Sequence, residues 1–145
     1  MVIPNTLCHG YGNLIMGFYI TILAKGNDLT NPLVYTFPQP IILDRYEVAV
    51  TRLSVDIAPD SILLLLSSII KPQLGNVPSS TMLCLPVDEK NFALNYNPAT
   101  PQYLQTVNTN YLSELRIEIV NQNAERVKFA DDTQLVLILN FKRNI

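Results

Sequence analysis

Residues 112–143 constrain the fold of this chain more than any other stretch. They run Leu115-Arg116-Ile117-Glu118-Ile119-Val120, a polar break at 121–126, Val127-Lys128-Phe129, a second break at 130–133, then Gln134-Leu135-Val136-Leu137-Ile138-Leu139-Asn140-Phe141-Lys142. In the first run Leu115, Ile117 and Ile119 share one face while Arg116 and Glu118 share the other, the period of two of a half-buried strand. In the last run Leu135, Leu137, Leu139 and Phe141 share a face, and Val136 and Ile138 make the opposite face apolar as well. That pattern predicts a strand central in its sheet and covered on both sides. None of these side chains is a reactive group, so the stretch specifies sheet and leaves activity open.

The rest of the chain repeats the signal in shorter pieces. Phe18-Tyr19-Ile20-Thr21-Ile22-Leu23 is a strand by composition, and Leu33-Val34-Tyr35-Thr36-Phe37 is a second, closed by Pro38-Gln39-Pro40. Two prolines without ladder donors mark a strand exit or an edge. Between 46 and 56, Val48 and Val50 take one parity and Leu53 and Val55 the other. Either a β-bulge near Thr51-Arg52 brings all four to one side, or the strand is buried on both faces. Residues 61–70, almost all Leu, Ile and Ser between Pro59 and Pro72, read as strand rather than helix, and 81–85 as another.

Residues 1–13, with Pro4, Gly10 and Gly12 and no period, read as an N-terminal arm able to lie across a neighbouring copy. Residues 86–109, rich in Asn, Pro, Thr and Gln, read as a long surface loop, the kind of segment where recognition usually sits, and 110–114 as a short turn. No segment carries an apolar helical stripe with caps, a repeat or a domain boundary. About eight strands with Pro/Asn/Gly punctuation make residues 1–145 a single all-β domain, an antiparallel sandwich or barrel with two stacked sheets as the expected form.

Function classes narrow by subtraction. A net charge of -2 gives no basic excess for gripping phosphates, and Lys142-Arg143 is the only concentrated base, so nucleic acid is not an expected partner. With one histidine, His9, in a glycine-flanked segment, the chain offers no base for a Ser or Cys nucleophile and no histidine metal set. The segment 9–13 lacks the Lys-Ser/Thr ending of a phosphate loop. Asp131-Asp132 reads as a turn whose acids cap backbone donors. The expectation is therefore a protein that is not an enzyme and has no catalytic residue, cofactor or metal.

Cys8 and Cys84 have no ligand spacing and read as reduced thiols, Cys84 buried in its apolar run. Residues 1–7 lack the basic start and apolar run of a signal peptide. No apolar run exceeds five residues, the length of 62–66, against about twenty for a membrane span, so no membrane partner is expected. Forty-eight per cent hydrophobic and 15% charged residues suggest apolar surface hidden against neighbouring copies. Tyr96 and Tyr103, in the polar stretch, are the candidates for a contact with a protein or glycan. The competing reading, that they anchor the loop to its own domain, is the preferred one.

The run 115–123, Val127-Lys128-Phe129 and Leu135 through Arg143 together resemble the C-terminal signature of structural proteins encoded by Polinton/Maverick elements and adintovirus-like viruses. Phe18-Tyr19-Ile20-Thr21-Ile22, Phe37-Pro38-Gln39-Pro40-Ile41 with Leu43, and Tyr46-Glu47-Val48-Ala49-Val50-Thr51 are similar to the first half of the same group. Tyr46 stands where that group usually has Trp, and Ala124 where its turn usually has Gly. The resemblance implies a jelly-roll minor capsid protein of the penton type, located in the virion and assembled inside the host cell. Its implied partners are itself, as a homopentamer with a trimer as alternative, and the major capsid protein. The alternative function is a β-sandwich recognition module, such as a fibre head or a receptor- or glycan-binding domain.

Overall fold

The computed structural model of the chain describes residues 2–5, 17–25, 29–56, 62–71, 80–86, 93–129 and 132–143. Where the sequence alternates, the backbone is extended, because β-branched and aromatic side chains fit a pleated surface with one buried face. The strands are β1 (Val2–Asn5), β2 (Gly17–Lys25), β3 (Leu33–Leu43), β4 (Tyr46–Asp56), β5 (Ile62–Leu66), β6 (Thr81–Pro86), β7 (Ala93–Tyr96), β8 (Leu104–Gln105), β9 (Thr109–Asn121) and β10 (Gln134–Arg143). No helix occurs among the described residues.

The expected all-β sandwich is the observed fold: two antiparallel sheets. The first has the order β1-β2-β10-β4-β7, with β8 also paired to β4; the second has the order β3-β9-β5-β6. With β1 set aside and β7 and β8 taken as one interrupted strand, the pairings are β2 with β10, β3 with β9, β4 with β7 and β8, and β5 with β6. They describe one long hairpin whose tip is the β5–β6 connection. Its successive strand pairs fall alternately into the two sheets, which is a jelly roll.

The core lies between the inner faces. Leu53, Leu63, Leu65, Ile117, Ile119, Leu137, Leu139 and Phe141 are fully buried there, each contributing about 1.5–3 kcal/mol of transfer free energy. β10 takes its central place between β2 and β4, as its two apolar faces predict. Its outer face is covered only in part, since Val136 and Ile138 remain half-buried.

Of the two readings of β4, the bulge is the correct one. β10 pairs Ile138 with Arg52 and Leu139 with Val50, so Thr51 is the extra residue. The slip resets the pleat and turns Val48, Val50, Leu53 and Val55 all into the core, with Arg52 exposed. Thr51 Oγ1 donates to the Ile138 carbonyl at 3.1 Å and holds the bulge closed.

Several segments differ from expectation. Within 1–13, Val2–Asn5 pair with β2 from Val2↔Ile22 to Asn5↔Tyr19; the remainder lies outside the described residues. A free sheet edge recruits an extended segment through its backbone, whatever the segment's own side-chain pattern. The 86–109 stretch contains β7, β8 and the start of β9, with 87–92 outside the described residues. Residues 110–114 are strand, not turn.

β3 continues through Pro38-Gln39-Pro40 as the edge of its sheet, the ladder to β9 slipping between Thr36 and Ile41 where the prolines offer no donors. Cys84 is exposed, not buried, because its neighbours Leu83 and Leu85, opposite the core residues Leu65 and Leu63, take the inner face of β6 and leave Cys84 on the outer one. Cys8, His9 and Asp131 lie outside the described residues.

One hydrogen-bonding device has no counterpart in the apolar pattern. Leu33 pairs with Ile117, so Asn31 stands two places on, opposite Ile119. There its carboxamide acts as a strand's peptide would. Oδ1 accepts from Ile119 N–H at 3.0 Å, and Nδ2 donates to the carbonyls of Ile119 at 2.7 Å and Val127 at 2.9 Å. The Asn31-Pro32 bond is cis. Beyond it, Asn121 Oδ1 accepts from Asn123 and Glu125 N–H in the turn after β9. Ala124 completes that turn with φ 61°.

Candidate functional site

The outer face of the first sheet carries a polar cluster placed by register. Asn140 on β10 lies between Tyr19 of β2 and Ala49 of β4. Leu104 pairs with Val48, so the preceding Tyr103 falls beside Ala49 and extends the same row. Ala49 leaves room for a ring, and the Tyr103 hydroxyl donates to Asn140 Oδ1 at 2.6 Å. Lys142 Nζ sits 5.1 Å from the centre of the Tyr103 ring, a cation–π distance. The Tyr103 hydroxyl is held above its ordinary pKa, first by burial and then by the neighbouring Tyr19 and Glu47.

Tyr96 lies elsewhere. It pairs with Leu53, a core-facing position, so its side chain points to the inner side of the β7 edge and packs half-buried against the core. It lines a cleft of about 230 Å³ with Thr81, Met82 and Gln102, where the β6 and β7 edges face each other across the open flank of the sandwich. Thr81 Oγ1 is buried there without a hydrogen-bond partner among the described residues. The two tyrosines singled out from sequence are thus not brought into one surface, and each makes contacts within its own domain.

A larger cleft, of about 360 Å³, opens at the end of the sandwich where the β3–β4 corner, the segment after β5 and the β8–β9 connection meet. Arg45, Tyr46, Glu47, Lys71, Gln105, Thr106 and Asn108 line it. Its walls are bonded to one another. Thr106 gives both its N–H and its hydroxyl to the Tyr46 carbonyl, each at 3.0 Å, and Lys71 N–H donates to the Gln105 carbonyl at 2.9 Å. Val107 N–H donates to the Ile69 carbonyl at 2.7 Å, and Arg45 N–H to Asn108 Oδ1 at 3.2 Å. Asp44 bridges Arg45 at 3.7 Å and Arg143 at 3.5 Å.

Sequence reasoning missed this cleft. Its residues come from three distant segments, and only the unusual Asp44-Arg45 corner, without a glycine, signalled anything locally. Among the described residues no three His, Cys, Asp or Glu side chains converge as metal ligands would, and no helix is long and apolar enough to cross a membrane.

Fold and surfaces together define a single jelly-roll sandwich with an edge strand added at β2, a flank cleft and a charged end cleft. Comparison of the chain with protein-family models, with curated proteins and with solved structures finds no match.

Proposed function

We propose that the chain is a structural subunit of a viral or transposon-encoded icosahedral capsid, a minor capsid protein of the penton type that assembles as a ring of five beside the major capsid protein. The observation that carries this reading is the rolled-hairpin strand order, an architecture used repeatedly by capsid subunits and also by lectins. Fold alone does not assign function, so the surface has to favour one of these uses. Ile42 and Tyr111 do so: they are 64% and 71% exposed. The ladder places them as neighbours between Ile41↔Leu112 and Leu43↔Thr109, on the face turned away from the core. Two adjacent large side chains left in water fit a surface covered on assembly.

Native mass spectrometry of the purified chain tests the proposal. A closed pentamer is expected. A chain that stays monomeric at micromolar concentration overturns the reading, and a trimer transfers it to a fibre-head type of recognition module. Replacing Tyr111 with Ser is expected to weaken the ring without lowering the monomer's stability, since that side chain contributes little to the core.

A further inference from the structure

We propose that the end cleft is a docking site for an extended peptide segment bearing a carboxylate, which is held between Arg45 and Lys71. The two cations reach the cleft from different segments, the β3–β4 corner and the residue following the turn after β5. Lys71 is exposed, and no carboxylate among the described residues pairs with its ammonium. Residues 72–79, which follow it, carry no charged side chain in the sequence. Arg45 shares Asp44 with Arg143 at 3.7 and 3.5 Å, which engages only part of a guanidinium's five donors.

The backbone of Arg45 is the second observation. Its φ is 56°, in the left-handed region that Gly or Asn occupies at less cost. Such an outlier at a cleft is a pointer to function, because the cheaper residue would lack the guanidinium. The hydrogen bonds joining Tyr46 to Thr106, Ile69 to Val107, Lys71 to Gln105 and Arg45 to Asn108 fix the walls before anything binds, which lowers the ordering cost of association.

The lining selects a peptide over a nucleic acid. Glu47 forms part of the wall, and an acid there opposes a run of phosphates, which needs a row of cations. Gln105 and Asn108 offer amide groups that match peptide groups. The outer edge of β8 is already taken, since the Gln105 carbonyl accepts from Lys71 N–H, so the segment is held through the lining side chains and not as an added strand. A volume of about 360 Å³ is at the small end of ligand clefts, which run from roughly 300 to 1,000 Å³. It suits one acidic side chain and its flanking peptide groups.

The inference stands apart from the capsid reading, since it is measured on backbone amides of the chain whatever its copy number. Isotope-labelled protein is titrated, with amide shifts followed by NMR, against an acetylated and amidated Gly-Glu-Gly-Glu-Gly peptide, its Gln analogue and inorganic phosphate. The acidic peptide is expected to shift the amides of Arg45, Lys71 and Asn108 saturably, with affinity falling about tenfold in Lys71→Gln. Arg45→Gly is expected to lose the binding while its unfolding midpoint rises by about 2–4 °C. Equal binding of the Gln peptide, phosphate binding as tightly as the peptide, shifts centred on Lys142 and Arg143 instead, or Arg45→Gly retaining affinity would each overturn it.

Discussion

Asn31 shows how much of this fold rests on a single polar side chain. Its carboxamide makes three hydrogen bonds that close the gap between β9, the segment around Val127 and the start of β3. Asn31→Ala leaves the Ile119 N–H without that partner and is expected to cost about 2–3 kcal/mol, read from urea unfolding as a shifted midpoint at constant slope. None of this was legible in the sequence, where Asn31-Pro32 is simply a break. The partners lie 88 and 96 residues away, and local patterns do not reach that far. Ala124 is the opposite case, since the polar run around it announces a turn. At φ 61° an alanine pays about 1–2 kcal/mol, of which glycine's greater freedom in the unfolded chain recovers about 0.5–1 kcal/mol. Ala124→Gly is therefore expected to stabilise the protein by roughly 0.5–1 kcal/mol, and a calorimetric midpoint unchanged or lowered would contradict this.

Strands whose side chains face the core declare themselves, because burial imposes alternation on them. β2, β10 and the 115–120 run of β9 were legible for that reason, and so was the parity switch in β4, although only the ladder shows Thr51 to be the added residue. The first half of β9, mostly exposed, carries no such alternation and read as loop and turn. β1, β7 and β8 were not legible. They sit at or beyond the edges of the first sheet and are recruited by backbone hydrogen bonds to strands already formed, which leave little trace in residue type. The start of β2 has a tighter requirement: a Cβ on Gly17 would run into the carbonyl oxygen of Phe141. Gly17→Ala is expected to push β2 away from β10, cost about 1–3 kcal/mol as an overpacking change, and disturb the stacked Phe18–Phe141 pair at 4.7 Å. Near-ultraviolet circular dichroism together with denaturant unfolding reports both effects. Unaltered aromatic signals would show that the strand end moves freely.

For the whole molecule, pH and concentration are the informative variables. The hydroxyls of Tyr35 and Tyr103 are both held above the ordinary value of 10.0, each chiefly by burial. The unfolded chain therefore gives up these protons first as pH rises through 10, so this contribution to stability is constant below that pH and falls above it. The unfolding midpoint should drop in the same alkaline range in which tyrosinate absorbance lags behind that of the denatured protein. If copies associate as proposed, the midpoint should also climb with protein concentration; a midpoint flat over a hundredfold range would argue against association. The rolled order of the strands bears finally on how the chain is made. β2 finds its permanent partner β10 only when residues 134–142 have been synthesised, and β4 waits for the same strand. During translation the first sheet has two edges and no centre, while β5 and β6 can already pair. β10 is thus the strand that closes the roll, so the sandwich is expected to complete only after β10 has emerged from the ribosome, and slowly, as non-local topologies do, and a nascent chain stopped before β10 would offer open edges to a chaperone.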